Sequence, residues 1–290
     1  MTGKVVVIDA HRVELHDAFI RFVPRVFPSI SFRRWYELGG WHADYRAFSI
    51  FQGNEIVANA SLQRMHMIVR GRRRTGWQFG AVGVLPDWRG RGLQRQLLTH
   101  VLSHIDPRDF VFLFANDDVL DFYPQFGFRR VTEWLHGDDV HIDPAPSTLR
   151  RLVLDSSEDR AVLARLASTA KPVSERFSAI DYGGILLWYW TNHHRNDFYY
   201  HEGDDAIVVA EEDLEVLRVL DVVSERPIDL AAYLPQLVTR PTDHIEFGFT
   251  PEQYWPKAEP LCEYLESPLF VLGDSPLPSG AFKFPVLAQT

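Results

Sequence analysis

Residues 81–98, AVGVLPDWRGRGLQRQLL, string four kinds of local structure together. Phe79–Leu85 is small and β-branched, which predicts a buried strand. Pro86 and Asp87 make a turn. Arg89-Gly90-Arg91-Gly92 is a loop whose glycines let backbone approach a ligand closely. Leu93, Leu97, Leu98, Val101, Leu102 and Ile105 then recur on one face of a 3.6-residue period, so a helix follows. A loop of exposed N–H groups ending in a helix N-terminus is a pyrophosphate cradle. The chain is therefore expected to fold as an α/β protein and to hold a phosphorylated ligand.

Three glycine-loop patterns compete for this stretch. A P-loop needs GxxxxGK[ST], and no Lys-Ser/Thr pair follows Gly92. A dinucleotide fingerprint needs GxGxxG, and the third glycine is missing after Gly90 and Gly92. The third pattern, [RQ]-x-x-G-x-[GA] preceded by V-x-V-x-P, looks like Val82-Gly83-Val84-Leu85-Pro86 and then Arg89-Gly90-Arg91-Gly92-Leu93. It departs at its last position, where Gln94 stands in place of a small residue. A second motif lies downstream. Phe110–Ala115 is a short apolar run and so a buried strand, ended by Asn116. From there Asn116, Tyr123, Gly127 and Phe128 are in register with N-x-x-A-x-x-x-Y-x-x-x-G-F, with Val119 where Ala is usual.

On these two motifs, in this order, residues 1–135 resemble the Gcn5-related N-acetyltransferase (GNAT) family. The resemblance implies acetyl-CoA as cosubstrate, and a strand before the glycine loop that splays from its neighbour so that pantetheine lies in the gap. It implies that backbone of Val82 and Val84 binds pantetheine, with Gly83 at a bulge or a close backbone approach. It assigns Arg89, Gly90, Arg91, Gly92, Leu93 and Gln94 to the pyrophosphate and Asn116 to the cofactor or a water near the thiol. It makes Tyr123 the general acid for the departing thiolate. Some relatives carry a glutamate base eleven positions before the glycine loop; here that position is Gln78, which cannot take a proton. His66 is a second candidate base, although a solvated strand face explains it as well. The layout also resembles the tandem-domain enhanced intracellular survival acetyltransferases, in which the C-terminal carboxylate reaches the active site. That resemblance makes Thr290 a candidate catalytic carboxylate or ammonium anchor.

Composition bounds the rest. With 290 residues the chain makes one large domain or two ordinary ones, and 46% hydrophobic content is ample for a core. Cys262 is the lone cysteine, which excludes an internal disulfide and a cysteine-based zinc site. No run of about 18 apolar residues predicts a membrane span, and the N-terminus lacks a signal-peptide core, so a cytoplasmic protein with no membrane partner is expected. A net charge of −9 argues against nucleic acid and suits a small-molecule amine acceptor. His100 and His104 share a helix face but lack the glutamate of HExxH, and His193, His194 and His201 form no better set, so no metal is expected.

Along the chain, Val5–Ile8 reads as a strand, Arg12–Phe27 and Phe32–Leu38 as helices, and Tyr45–Phe51 with Glu55–Met67 as a hairpin. The basic run Arg70-Gly71-Arg72-Arg73-Arg74 reads as a solvated turn before Thr75–Leu85. A helix is expected after Asn116, and Phe128–Trp134 is the next strand. The polar, proline-containing stretch 137–150 is the expected boundary between a cofactor-binding domain, 1–140, and a C-terminal α/β domain, 141–290. In the second part, Asp159–Ala170 and Asp229–Val238 read as helices. Phe198–Tyr200, Ile207–Ala210, Leu217–Val223, His244–Phe249, Leu269–Leu272 and Phe282–Leu287 read as strands. That order repeats the first half, so a degenerate acetyltransferase-like half is expected, with a mixed, splayed sheet flanked by helices overall. Its equivalent loop, Ser224–Ile228, has no glycine and predicts no second cofactor site. The leading functional expectation is N-acetyl transfer to an amine by direct attack in a ternary complex. The alternatives are a non-catalytic acyl-CoA sensor, and an acyltransferase for another acyl group or an O-nucleophile.

Overall fold

The computed structural model describes residues 3–290. The first half runs Val5–Ile8 (β1), Val13–Val26 (α1), Arg33–Glu37 (α2), Tyr45–Gln52 (β2), Glu55–Val69 (β3), Arg72–Val84 (β4), Leu93–Leu102 (α3), Phe110–Phe114 (β5) and Phe128–Ile142 (β6). The second runs Arg150–Arg151 (β7), Ser157–Thr169 (α4), Phe177–Ile180 (β8), Gly183–Asn192 (α5), Phe198–His201 (β9), Ala206–Asp213 (β10), Val216–Ser224 (β11), Leu230–Leu237 (α6), Thr242–Phe247 (β12) and Glu259–Leu272 (β13).

Each half is built on the same plan. In the first, β2, β3 and β4 form an antiparallel meander, α3 crosses over, and β5 lies parallel to β4. In the second, β9, β10 and β11 form the meander, α6 crosses over, and β12 lies parallel to β11. The two are joined in one sheet of order β1-β2-β3-β4-β5-β13-β6-β12-β11-β10-β9-β7, with β8 added beside β3. The joint is a strand exchange in sequence terms: β13, from the second half, inserts between β5 and β6 of the first. The mixed, helix-flanked sheet expected from the sequence is thus present, and so is the repeated half.

Local chemistry accounts for the elements that position the site. α1 buries Phe19, Ile20 and Val23 at helical spacing, and it carries Pro24 in its last turn, where the missing N–H cannot bond the Ile20 carbonyl. The basic run sits at the β3–β4 hairpin tip, where Arg70 and Gly71 both take positive φ, the geometry of a tight hairpin turn. Arg72, Arg73 and Arg74 are exposed there, as expected.

Three expectations differ from the structure. After Asn116 there is no α-helix but two 3₁₀ turns, Asp117–Val119 and Tyr123–Phe126. Pro124 has no N–H for an i→i−4 bond and disfavours helical backbone at Tyr123, and Gly127 at φ +86° ends the second turn. Residues 137–142 are not linker: β6 continues through them to pair with β12, with Asp139 exposed and Asp138 accepting the Trp255 indole N–H at 2.8 Å. Phe282–Leu287 is not a strand. It is an extended segment whose N–H groups bond individually, Lys283 to the Thr250 hydroxyl at 2.8 Å, Phe284 to the Glu133 carboxylate at 2.6 Å and Val286 to the Gly248 carbonyl at 2.8 Å. Pro285 interrupts any ladder there, and Val286–Ala288 closes as a 3₁₀ turn. Phe282, Phe284, Leu287 and Ala288 are buried, so this segment is a plug in the core between the halves.

Candidate active site

The site begins with a break in the sheet. Asn59 faces Gly83 and Ser61 faces Gly80, so Ala81 and Val82 together oppose Ala60 as a β-bulge. Ala81 takes φ +45°. A buried polar chain pins it: the Asn59 side-chain amide donates to the Ala81 carbonyl at 2.8 Å and to the Ser61 hydroxyl at 2.9 Å, and the Tyr45 hydroxyl donates to Ser61 at 2.9 Å. β4 pairs with β5 only from Gly76 to Phe79. Beyond Phe79 the strands part. The bulge lies at Ala81–Val82, immediately ahead of Gly83. Gly83 makes the close approach instead, since a Cβ there would come within 2.5 Å of Val26.

The glycine loop opens beyond the bulge. Gly90 and Gly92 both sit at φ +74°, and nothing lies within 4 Å of where a side chain would begin on either. Gly92 is the N-cap of α3 and offers no side-chain cap, so the first N–H groups of α3 are left for a ligand. The corresponding helix of the second half differs: the Asp229 carboxylate caps α6 by accepting the Ala231 N–H at 3.2 Å. That end is already filled with negative charge. Gln94 fits an absent ligand in a second way, because both polar atoms of its buried amide lack a partner. Arg91 stacks on Trp88 with its guanidinium 4.6 Å from the ring centre, and Arg89 reaches back toward the Val84 carbonyl at 3.4 Å.

One cavity of about 1330 Å³ joins these features. It is lined by Val82, Gly83, Val84 and Arg89 through Gln94, by Asn116 and Tyr123, and by Gln289 and Thr290. Every residue singled out for cofactor or catalysis, His66 apart, therefore lines one cavity. Tyr123 is buried among Phe122, Phe128 and Phe270, and burial alone pushes its phenol up to about 12. Thr290 arrives through the plug. Its N–H donates to Gln78 Oε1 at 2.6 Å, while Gln78 Nε2 donates to the Ala288 carbonyl at 3.0 Å. Gly80 makes room for it, since a Cβ there would lie 2.7 Å from the Thr290 hydroxyl. His66 is elsewhere: it is exposed on β3 and lines a second hollow with Arg73, Arg74 and Asp181.

The far wall of the cavity was not legible in the sequence. Phe27, Phe32, Trp35 and Tyr45 come from the first half, and Ile185 and Trp188 from α5 of the second. The Trp35 indole N–H donates to the Gly184 carbonyl at 2.8 Å, which ties α2 to α5. The aromatic density of residues 186–190 was the available signal, and it did not distinguish core from pocket. His100 and His104 lie together on the α3 side, where the His104 ring bonds the His100 carbonyl at 2.7 Å. Among the described residues one set of metal-type side chains converges, His194, Asp197 and Glu211, outside the cavity. Arg218 already stands 3.6 Å from Glu211. Among the described residues no helix is long and apolar enough to cross a membrane.

Comparison with known proteins agrees with this geometry. Residues 12–131 match the family model described as an acetyltransferase (GNAT) domain. Solved structures of similar fold include a probable N-acyltransferase of Enterococcus faecalis V583, described as a conserved protein of unknown function. It has TM-score 0.55 and 11% identity, covering 93% of this chain and 72% of that one. A GCN5-related N-acetyltransferase from Kribbella flavida has TM-score 0.54 and 18% identity, covering 93% and 71%. Eis1 from Mycobacterium abscessus has TM-score 0.54 and 17% identity, covering 92% and 73%. No curated protein matches the sequence. At these identities the structural likeness speaks for the fold, while the family model speaks for the domain that carries the glycine loop. Residues 12–131 thus match a GNAT acetyltransferase domain, and a second half of the same plan continues them into a single sheet.

Proposed function

We propose that this protein transfers an acetyl group from acetyl-CoA to the amine of a small molecule, by direct attack with both substrates bound. The observation that carries this reading is the single cavity in which the glycine loop, the β4–β5 gap, Tyr123 and the Gln289–Thr290 segment meet. We take residues 1–140 as the coenzyme-binding domain and 141–290 as the domain that completes the acceptor wall through α5 and the plug.

When bound, acetyl-CoA supplies an activated thioester whose carbonyl accepts the amine and whose thiolate leaves. The Gly90–Gln94 backbone and the start of α3 would hold the pyrophosphate, with Arg89 and Arg91 adding charge. Val82, within the bulge, and Val84, beyond the last β4–β5 pair, offer backbone groups to pantetheine, and Asn116 lines the same cavity. Tyr123 acts as donor to the departing sulfur. Its phenol, held near 12, is protonated at every working pH. A thiol titrates near about 8.5, so outright transfer from this phenol to a finished thiolate is uphill. Tyr123 therefore acts chiefly through a hydrogen bond that strengthens as charge builds on sulfur. Thr290 stands beside Gln78, and a main-chain carboxylate at that residue would face the cavity where an ammonium has to be held.

Release of thiol from acetyl-CoA, measured against a panel of amines, tests the reading. Amine-dependent release with a matching acetylated product is expected. Coenzyme binding with no release in the presence of any amine would favour a sensor instead.

A further inference from the structure

We propose that the acceptor is a monoamine with an aromatic or apolar body, and that Phe32, Trp35 and Trp188 select it. This rests on the amine-transfer reading above and names the substrate class of that same site.

The argument starts from which chemistry each wall offers. The charged side chains lining the cavity are Arg89, Arg91, Arg95, Asp117, Asp118 and Asp121, all on the glycine loop, the start of α3 or the turns after β5. The opposite wall carries no charged side chain. It is built mainly from Phe27, Phe32, Trp35, Tyr45, Ile185 and Trp188, with the uncharged polar residues Ser29 and Gln63 also lining the cavity. The polar ends of two of these are already engaged, Trp35 with the Gly184 carbonyl and Tyr45 with the Ser61 hydroxyl. Apart from the Trp188 indole N–H, which has no partner among the described residues, these six residues offer an acceptor ring and aliphatic carbon. Phe32 packs against Trp188 with centroids 6.1 Å apart and edge-on against Trp35 at 5.3 Å, so α2 and α5 build this surface jointly.

Such a wall favours one class of amine. Ring faces attract a single cation through their quadrupoles and bury apolar surface well. They offer nothing to a second or third ammonium, which would lose its water without a carboxylate side chain to meet it. A polyamine or aminoglycoside carries several such groups. An arylalkylamine carries one, on a body that matches the rings.

The experiment compares kcat/KM for tryptamine and 2-phenylethylamine with that for spermidine and kanamycin at saturating acetyl-CoA. A preference of at least about tenfold for the arylalkylamines is expected, since hydrophobic pockets discriminate by about 10–200-fold per methylene-sized difference. Trp188→Leu should raise the tryptamine KM about tenfold with the acetyl-CoA KM and its thermal shift retained, which also reports that the variant is folded. In the unaltered protein, indole should compete with the amine and not with acetyl-CoA. A preference for the polycations, or absence of competition by indole, overturns the inference while leaving amine transfer standing. Transfer to no amine, with acetyl-CoA still bound, removes the amine-transfer reading and this inference with it.

Discussion

Gln78 fastens Thr290: its side-chain oxygen accepts the Thr290 N–H at 2.6 Å while its nitrogen donates to the Ala288 carbonyl at 3.0 Å. Gln78 is fully buried on β4, one residue before the strands part. Its amide spends both of its polar atoms on the plug. Gln78→Leu leaves a buried carbonyl and a buried N–H unpaired, at about 1–3 kcal/mol each. A lower melting temperature and impaired transfer are expected, with the acetyl-CoA thermal shift retained. Gly80→Ala approaches the same contact from the strand side, because the new methyl meets Thr290 atoms at 2.7–3.1 Å. It should impair transfer at nearly normal coenzyme affinity, and unchanged turnover would show that the position of residue 290 is immaterial.

On the proposed reading, coenzyme binding depends on the backbone at Gly92. Acetyl-CoA should raise the melting temperature by mass action. Gly92→Asp puts a carboxylate at the N-terminus of α3, where the open N–H groups point, and should abolish that shift. Gly92→Asn tolerates positive φ without the charge and should keep part of it. Equal shifts in both variants would take charge at this loop out of the explanation.

Tyr123→Phe deletes the donor and keeps the ring packed among Phe122, Phe128 and Phe270. Removing one such donor to developing charge costs roughly 10²–10³-fold. A fall of that order in kcat is expected, with acetyl-CoA KM nearly unchanged. A loss smaller than about threefold with the preferred amine would be too small for a hydrogen bond to the departing sulfur.

Asp221 sets a pH dependence in the second half. It is fully buried on β11, accepts the Tyr182 hydroxyl at 2.8 Å and the Val222 N–H at 2.8 Å, and burial raises its carboxyl to about 7. The folded state then keeps a proton that the unfolded chain releases near about pH 4. Its contribution to stability therefore falls as pH rises from about 4 to about 7 and levels off above that. Asp221→Asn stays neutral throughout. The melting temperature of the variant relative to the unaltered protein should climb across this window and then plateau. Parallel curves would mean that the carboxyl titrates normally.

Much of the site was legible in the sequence because its parts are local. The strand, turn, glycine loop and helix of residues 79–105 are contiguous, and each follows from apolar periodicity or from glycine's access to positive φ. The repeated order of strands and helix in the second half was legible for the same reason, and so was the lack of a glycine loop at Ser224–Ile228. Where local reading went astray, proline was usually involved. Pro124 replaces a helix with two 3₁₀ turns, and Pro285 replaces a strand with a plug. Backbone hydrogen-bond supply decides both cases, whereas the apolar pattern does not register it.

The tertiary structure alone decided what faces the cavity. Trp188 and Trp35 lie 153 positions apart and share a wall because the Trp35 N–H reaches the Gly184 carbonyl. Gln78 and Thr290 meet because β13 threads between β5 and β6 and draws the following residues beneath the sheet. Periodicity records that an aromatic residue will be buried, since burial depends on its neighbours in the chain. Whether it is buried in the core or beside a ligand depends on which distant segment packs against it, and that is settled only when the long-range hydrogen bonds and contacts form together.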